Sequence, residues 1–256
     1  MADLNDVDAT GSPCSGEARV LGQTRCRAAQ AASCDSCGVK DVSVCSALEA
    51  VELEAFNALS EKVIFRSKET LFLQGDDARA VYNVTCGTLR LYKLLPDGRR
   101  QIVGFLLPGD FVGLSLSERY GFSADAIDQV SACRFDRGDF IDFVDRNPHL
   151  LRRLHQAATH ELTLAQDHMV LLGRRAAEEK VAAFLLAMRG RLRRLGGSAV
   201  TIPLAMTRQD LADHLGLTLE TVSRVVSKLA REKTILVVPD GLRIMDAGRL
   251  EQIGAS

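Results

Sequence analysis

The sequence lacks several features that would mark a membrane protein, a secreted protein or an enzyme. No apolar run approaches the roughly 20 residues that a membrane helix requires. The first residues are acidic and polar, without the basic and apolar regions of a signal peptide. The sequence also offers no paired carboxylates and no Ser/His/Asp arrangement that would indicate catalysis. We therefore expect a cytoplasmic protein that is not an enzyme and has no membrane partner.

Net charge is almost absent as well, at −1 over 256 residues, but the charges are unevenly distributed. Residues 1–173 carry 18 Lys and Arg against 24 Asp and Glu, whereas residues 174–231 carry 11 against 5. A basic segment on an acidic body indicates that one part of the chain meets a polyanion and the other does not.

Hydrophobic periodicity divides the chain into four parts. Residues 1–33 are polar with little periodicity, and we expect a mobile arm there. Residues 34–136 contain a cysteine cluster and then short apolar stretches separated by turns, which is typical of an all-β barrel or roll. Residues 137–173 predict a long helix, and residues 174–256 predict further helices and a terminal hairpin.

The long helix has a narrow apolar seam, in which apolar residues recur every three or four positions. This is the pattern of a coiled-coil contact, although a helix that lies on its own domain produces it too. A single long helix between two domains favours the first interpretation, so we expect a homodimer. The seam consists of Leu151, Leu154, Ala158, Leu162, Ala165, Met169 and Leu172.

The segment MTRQDLADHLGLTLETVSRVVSKLARE predicts a helix-turn-helix. Thr207 and Thr218 are suitable N-caps for its two helices, and Gly216 suits the tight turn between them. A plain helical hairpin with a solvated charged face is the alternative. The basic segment, the trailing Pro-Asp-Gly turn and the preceding long helix favour binding to double-stranded DNA.

The second helix of this motif has side chains on its outer face that suit DNA. The spacing brings Glu220, Ser223 and Arg224 together. An Arg fork fits guanine and a Glu can accept from a cytosine amino group, whereas a Ser hydroxyl discriminates less. Three further residues are expected to hold phosphates and set the register. These are Thr221, Arg208 and Lys228.

The order of β-roll, long helix and winged helix-turn-helix over residues 34–246 resembles the CRP/FNR family of bacterial transcription regulators. Within it, GLTLETVSR is similar to the FNR branch, whose recognition helix carries E-x-x-S-R. The resemblance implies an α+β chain with an N-terminal cyclic-nucleotide-binding-like β-roll, a dimerisation helix and a C-terminal winged helix-turn-helix. It also implies an activator that reads a TTGAT-N4-ATCAA-like palindrome, with RNA polymerase as a partner.

The effector of the cyclic-nucleotide branch is not expected here. That branch has a phosphate-binding Gly-Glu followed by Arg-Ser or Arg-Thr. In GLSLSERYGFSADA, Phe122-Ser123 stands at the Arg-Ser position, and Ser115 or Leu116 stands near the Glu position. An apolar ring cannot offer a cyclic phosphate the charge-assisted hydrogen bonds of arginine. Arg119 lies nearby and is a partial substitute.

Three of the seven cysteines lie within twelve residues, in CDSCGVKDVSVC. In a cytoplasmic protein such thiols indicate metal binding or redox chemistry more than disulfides. A closed four-thiol site needs a fourth ligand. From the residues alone the candidates are Cys14, Cys26, Cys86 and Cys133.

The resemblance implies that the distant ligand is Cys133 and that the near ligands are Cys34, Cys37 and Cys45. Together they would hold a 4Fe–4S cluster, as in alphaproteobacterial FNR-like regulators. Cys26 is the main alternative to Cys133, and Cys86 is expected to be a buried core thiol. Structural zinc or a thiol-redox site is the alternative to the cluster, and a cluster-dependent enzyme is the remaining alternative.

The implied function is oxygen-responsive transcription regulation by a dimer that is active while its cluster is intact. Oxygen would break the cluster, free the N-terminal segment and weaken the dimer. Several FNR-like proteins carry an acidic residue inside the seam, where this chain has Ala165. We therefore expect the dimer to persist with less help from the cluster.

Overall fold

The computed structural model describes residues 34–114, 117–174, 176–197 and 200–255. The segment predicted to be a mobile arm, residues 1–33, lies outside the described residues together with Cys14 and Cys26. Within the described ranges, no helix has both the length and the apolar character needed to cross a membrane.

The N-terminal unit is a roll of two antiparallel four-stranded sheets, as the sequence predicts. Three short 3₁₀ turns (Cys34–Ser36, Lys40–Val42 and Val44–Ala47) and helix α1 (Ala50–Ala58) precede it. The strands are β1 (Ser60–Phe65), β2 (Thr70–Phe72), β3 (Ala80–Cys86), β4 (Leu89–Leu94), β5 (Arg100–Leu106), β6 (Phe111–Val112), β7 (Ser123–Ala126) and β8 (Val130–Asp136). One sheet has the order β1-β8-β3-β6 and the other has the order β2-β7-β4-β5.

The two sheets share an apolar core to which Ala80, Tyr82 and Val84 of β3 contribute, and this strand is buried along its whole length. Val84, Leu89 and Ala124 are fully buried in this core. The turn between β3 and β4 requires glycine, because Gly87 has a φ of 81° and a Cβ there would lie 2.3 Å from the Gln129 oxygen. Short apolar strands joined by such tight turns therefore produce the roll.

The structure divides residues 137–173 into two helices. Helix α2 (Arg137–Arg146) begins at an N-cap, Asp136, whose side chain accepts a hydrogen bond from the Gly138 amide. Helix α3 (Pro148–Arg174) carries the predicted seam. The break has a physical cause, because Pro148 has no amide to donate and its ring disfavours helical geometry at the preceding residue.

The C-terminal unit is a winged helix-turn-helix. Its elements are α4 (Ala177–Arg194), β9 (Thr201–Pro203), α5 (Arg208–Leu215), α6 (Leu219–Arg231), β10 (Ile235–Val238), β11 (Gly241–Ile244) and α7 (Ala247–Ala255). Thr207 and Asp210 form a capping box at α5, Gly216 ends it in the left-handed conformation, and Thr218 caps α6. The strands form one sheet in the order β10-β11-β9. The predicted caps and turn are thus confirmed.

The two units share one hydrophobic core at their junction, which the sequence does not predict. Ile102 and Phe105 of β5 belong to the same buried cluster as Leu211 and Leu215 of α5. Helix α5 therefore packs directly on the β4–β5 hairpin of the roll. The helix-turn-helix is held against the roll by this surface.

Candidate functional site

The four cysteines predicted to be ligands border one cavity. Cys34, Cys37 and Cys45 come from the segment of 3₁₀ turns, and Cys133 comes from β8. All four are thiols rather than disulfide sulfurs. In the described part of the chain, no three or more His, Cys, Asp or Glu side chains are arranged to hold a metal ion as they stand. The fold brings the thiols to one place but does not close them into a ready-made cage.

Apolar residues, rather than the thiols, anchor the segment of 3₁₀ turns to the roll. Val44 and Leu48 are buried in one cluster with Phe56 of α1 and Phe135 of β8. The Phe56 and Phe135 rings are stacked with their centroids 4.4 Å apart. The three near cysteines are therefore delivered to Cys133 by hydrophobic burial.

The pairing of strands surrounds Cys133 with two polar side chains. Cys133 lies opposite Lys62 on β1 and opposite Asn83 on β3. Residues that face each other across neighbouring strands point to the same face of a sheet. Asn83 is 2% exposed, and its Nδ2 lies 3.8 Å from the Cys45 Sγ. A second asparagine lines the cavity as well, and the Cys34 Sγ donates to the Asn57 Oδ1 over 3.1 Å.

Two of the thiols are strongly shifted toward their neutral form. Burial raises the pKa of Cys45 to about 11. Burial also raises the pKa of Cys133 to about 12, with a further rise from the charges of the other three cysteines and a small opposing effect of Lys62. Four thiolates in this cavity therefore require a cation to bind them together.

The residues fit a thiolate-bound metal centre. Among the described residues that line the cavity, the soft donors are the four thiols, and neither a histidine nor a carboxylate is present. An all-thiolate set suits iron–sulfur clusters and zinc better than hard cations. One buried polar atom on the same wall, the Asn83 Oδ1, has no hydrogen-bond partner within the described structure.

Cys86 is not part of this site. It is buried in β3, as expected, but the structure records it as disulfide-bonded. The expectation of a free core thiol at this position is therefore wrong. Cys133, rather than Cys86, is the cysteine of the roll that borders the cavity.

The predicted recognition helix, α6, turns its polar face outward. Val222, Val226 and Leu229 are buried on its inner side. Glu220 and Arg224 are exposed, and Ser223 lies half-buried between them. The three residues expected to read base edges are therefore neighbours on an accessible surface of α6.

Two of the three residues expected to hold phosphates lie in the first turns of the two helices of the motif. Arg208 is exposed at the start of α5. The Thr221 hydroxyl lies 3.0 Å from the Thr218 hydroxyl and accepts from Arg224 Nη2 over 3.3 Å. These contacts orient the Arg224 side chain along the helix in the absence of DNA.

Lys228 is differently placed. Its Nζ donates to the Glu178 Oε2 of α4 over 2.5 Å, and this contact raises the pKa of Lys228. The side chain therefore ties the recognition helix to α4. A role as a phosphate contact would require Lys228 to leave Glu178.

The seam of α3 is open along its middle. Leu151, Leu162 and Met169 are 51%, 57% and 63% exposed. Ala158 and Ala165 are exposed as well. At the two ends, Leu154 packs against the core of the cysteine segment and Leu172 is half-buried near Gly216. An exposed apolar stripe on a long helix suits a second helix more than solvent.

The junction between the two units carries a charge cluster that the sequence does not reveal. Arg90 binds Asp125 of β7 and also reaches Asp210 of α5 over 2.6 Å. Arg100 binds Asp210 over 2.9 Å and Asp213 over 3.0 Å. The only sequence signal in this cluster is Asp210, which is recognisable as part of a capping box. Its Arg partners lie more than 100 residues away along the chain.

The region that corresponds to a cyclic-nucleotide phosphate site is only partly described. Ser115 and Leu116 lie outside the described residues. Phe122 lies under the Lys93 ammonium, 4.9 Å from the ring centroid. The Arg119 Nη1 donates to the Gly75 oxygen over 2.9 Å, which engages it with the backbone of the roll.

Two family models match the chain. One is the cyclic nucleotide-binding domain, over residues 62–147. The other is the Crp-like helix-turn-helix domain, over residues 179–253. The matched ranges correspond to the roll and to the C-terminal unit.

Several curated proteins and solved structures are similar over most of the chain. The nitrogen fixation regulation protein FixK of Bradyrhizobium diazoefficiens is 52% identical over 87% of this chain and 94% of its own length. The transcriptional activatory protein AadR of Rhodopseudomonas palustris is 52% identical over 86% and 92%. The transcriptional activator protein FnrL of Cereibacter sphaeroides is 34% identical over 83% and 90%. The structure of FixK2 from Bradyrhizobium japonicum has a TM-score of 0.72 at 37% identity, and covers 77% of this chain and 98% of its own.

Proposed function

This chain belongs to the CRP/FNR family of DNA-binding transcription regulators, and we propose that it is an oxygen-responsive activator within that family. Its named relatives are transcription regulators, which are not enzymes. In the proposed active form, a homodimer binds DNA while the four cavity cysteines hold a 4Fe–4S cluster. In oxygen the thiols would lose this shared partner, the cysteine segment would come free and DNA affinity would fall.

One observation carries the proposal: Cys133 of the roll and the three cysteines of the N-terminal segment border a single cavity. They converge although Cys133 is far from the others in sequence. A bound cluster would supply an oxygen-labile connection between the segment and β8. The protein's own part is to present four thiolates and to exclude competing oxygen ligands.

The cysteine segment is connected to the dimer helix by packing. Val44 lies in the same core as Phe140 of α2 and Leu150 of α3. A second contact joins α1 to α3, because the His149 Nε2 lies 2.9 Å from the Glu52 Oε2. An ordered segment therefore supports the N-terminal part of α3. Its release would remove apolar contacts that hold the start of the seam in place.

Dimerisation supplies the DNA specificity of the proposal. Two α3 helices that pack through their seams would present two α6 helices to successive half-sites of a palindrome. Arg224, Glu220 and Ser223 would read the base edges of a TTGAT-N4-ATCAA-like site. RNA polymerase is the proposed partner at the promoter. A monomer would hold one half-site and lose about half of the contacts.

Structural zinc remains the second candidate, because four thiolates also suit Zn²⁺. The position of the segment favours the cluster. Val44, Leu48 and the stacked phenylalanines share one apolar core with Leu150 at the start of α3. A zinc ion would hold the segment in this core in air and without oxygen alike, whereas an oxygen-labile centre would make the contact with α3 depend on oxygen.

The test begins with protein purified without oxygen. We expect a broad visible absorption band, with iron and sulfide in equal amounts at about four each per protomer. In air, the band should bleach and binding to a TTGAT-N4-ATCAA duplex should weaken. A colourless protein with one zinc per protomer would overturn the oxygen response and leave DNA binding in place.

Variants separate the two halves of the proposal. Cys37→Ser and Cys133→Ser should lose the band and, with it, anaerobic DNA binding. Arg224→Ala is the control, because it lies on the recognition helix and should keep the band while it loses DNA binding. If Cys133→Ser kept a full band, the fourth ligand would have to be another residue.

A further inference from the structure

Asn83 is an unusual residue for its position. It lies in β3, a strand that is buried along its full length, and it is 2% exposed. Asparagine is depleted in strands, and its amide loses its hydration when buried. Its two immediate neighbours in the strand are Tyr82 and Val84, which pack in the apolar core. Asn83 borders the cysteine cavity instead.

The amide of Asn83 is only half satisfied. Its Nδ2 lies 3.8 Å from the Cys45 Sγ, a long contact, and its Oδ1 has no partner among the described residues. A buried polar atom without a partner costs roughly 1–3 kcal/mol of stability. An apolar side chain of the same shape would therefore serve the folding of the roll better than asparagine does.

The protonation state of the neighbouring Cys45 sulfur determines which side of the Asn83 amide it can bind. A thiol can donate or accept, so it leaves the orientation of an amide open. A thiolate can only accept, so it requires the Nδ2 side of the amide. Asn83 also lies directly opposite Cys133 in the strand register, so it stands between two of the proposed ligands. Hydrogen bonds to ligand sulfurs tune iron–sulfur centres.

We propose that Asn83 is a positioning residue of the cysteine site, which donates an N–H···S hydrogen bond to the Cys45 thiolate and thereby slows the loss of the centre in air. The inference rests on the proposed 4Fe–4S function. The inference adds to that function a residue that determines how long the thiolate-bound centre survives in oxygen. The cost of a half-satisfied amide in the metal-free protein is offset only when the thiols are deprotonated and bound.

The test is the substitution Asn83→Leu, which keeps the shape and removes both polar atoms. The metal-free variant should unfold at the same temperature as wild type or at a higher one, because an unpaired buried oxygen is gone. After anaerobic loading, its absorption band should decay in air about 10- to 100-fold faster than wild type. A role in folding alone would lower the stability of the metal-free protein instead.

Asn57→Leu is the matched control, because Asn57 lines the same cavity. Asn57 is half-exposed and accepts from the Cys34 thiol, so its oxygen faces the sulfur and this contact is lost when the thiol deprotonates. We expect a much smaller change in decay rate. Equal acceleration in both variants would indicate a general effect of cavity polarity and would overturn the specific role of Asn83.

The outcomes separate this inference from the function on which it rests. A wild-type protein that never shows the band would overturn both. A normal wild-type band with an unchanged decay rate in Asn83→Leu would overturn the inference alone. If Asn83→Leu does not fold, Asn83→Ala gives the same comparison, because it removes the amide without adding a branch.

Discussion

The Arg100 Nη2 lies 3.0 Å from the Asp213 Oδ2, and this ion pair crosses from the roll to the first helix of the helix-turn-helix. The same guanidinium binds Asp210, which is 2% exposed and also forms an ion pair with Arg90. Burial alone would raise the pKa of Asp210. Hydrogen bonds from Thr207 and the charge of Arg90 outweigh burial and lower it. The orientation of the DNA-binding unit therefore depends on a buried charge network.

Substitution of Arg90 tests how strongly this network joins the units. Arg90→Met leaves Asp125 without its cation and removes one of the two arginine partners of Asp210. Breaking a buried pair by removing one partner typically costs about 3–5 kcal/mol. We expect a loss of that order in the free energy of unfolding, measured by urea denaturation at pH 7.

A neighbouring arginine provides the control. Arg99 pairs with Asp97 in the hairpin turn, but both side chains are largely exposed. Arg99→Met should leave the free energy of unfolding nearly unchanged, because solvent screens an exposed pair. Similar losses in both variants would mean that the junction network contributes no more than a surface pair.

A second contact of α5, which it makes with the long helix α3, should respond to pH. His214 of α5 stacks on His168 of α3, with ring centroids 4.3 Å apart, and burial lowers the pKa of His214 to about 4. The charges of His168 and Arg191 lower it further. Burial also lowers the pKa of His168. Both rings therefore take up a proton less readily in the folded protein than in the unfolded chain.

The sign follows from proton binding. Between pH 6.5 and 4 the unfolded chain binds more protons at His214 than the folded protein does, so stability falls as the pH falls. From pH 7 to pH 5 we expect a loss on the order of 2 kcal/mol from this residue. His214→Gln should flatten the dependence in urea denaturation, whereas His155→Gln, at an exposed position on α3, should leave it unchanged. An unchanged slope in His214→Gln would contradict the assignment.

The features that the sequence predicts well are local. The helix-turn-helix follows from Thr207, Gly216 and Thr218, because a cap or a tight turn depends on residues three or four positions away. The strands of the roll follow in the same way from short apolar runs between turns. The break before Pro148 is a local feature as well. The prediction of one helix over residues 137–173 missed it, because it relied on the seam periodicity, which begins only after Pro148.

The features that the sequence does not reveal depend on strand register and on contacts between distant segments. The residues alone left four cysteines open as the fourth ligand, and the choice of Cys133 came from the family resemblance. Nothing in YNVTCGTLRLY marks Asn83 as a wall of the cysteine cavity, since only the pairing of β3 with β8 brings it opposite Cys133. The ion pairs of Arg90 and Arg100 with α5 cannot be read from the sequence for the same reason.

The positions of Arg224 and Lys228 predict different effects on DNA binding. Arg224→Ala should cost about 1–3 kcal/mol of affinity for the palindrome and reduce discrimination against a substituted guanine. Lys228 is bound to Glu178, so Lys228→Ala should leave the discrimination intact and change the salt dependence of binding little. Fluorescence anisotropy with matched and substituted duplexes at two salt concentrations measures the discrimination and the salt dependence of both variants.

Arg208 serves as the comparison for the salt effect. It is exposed at the start of α5, so Arg208→Ala should weaken binding to all sequences alike and lower the salt slope by about one. If Lys228→Ala lowered the slope as much as Arg208→Ala does, Lys228 would have to leave Glu178 on DNA. The ion pair would then belong to the free protein only.

The residue at position 165 determines how far dimerisation depends on the cysteine site. Ala165 lies in the exposed middle of the seam, between Leu162 and Met169. A small neutral side chain adds no repulsion between two facing helices. We therefore expect the metal-free protein to sediment as a dimer at micromolar concentration. Ala165→Asp would place two carboxylates in one interface and should raise the dissociation constant of the metal-free dimer at least about tenfold.

Val170→Asp separates a seam effect from the effect of a new charge. Val170 is 60% exposed on the same helix but lies off the line of the seam, so the same substitution there should leave the dimer intact. If both variants dissociate, the added charge acts on the helix as a whole and the seam assignment fails. If wild-type protein without metal is already monomeric, apolar contacts of the seam are too weak by themselves. Dimerisation would then depend on the cysteine segment holding the start of α3, which is the stronger form of oxygen control.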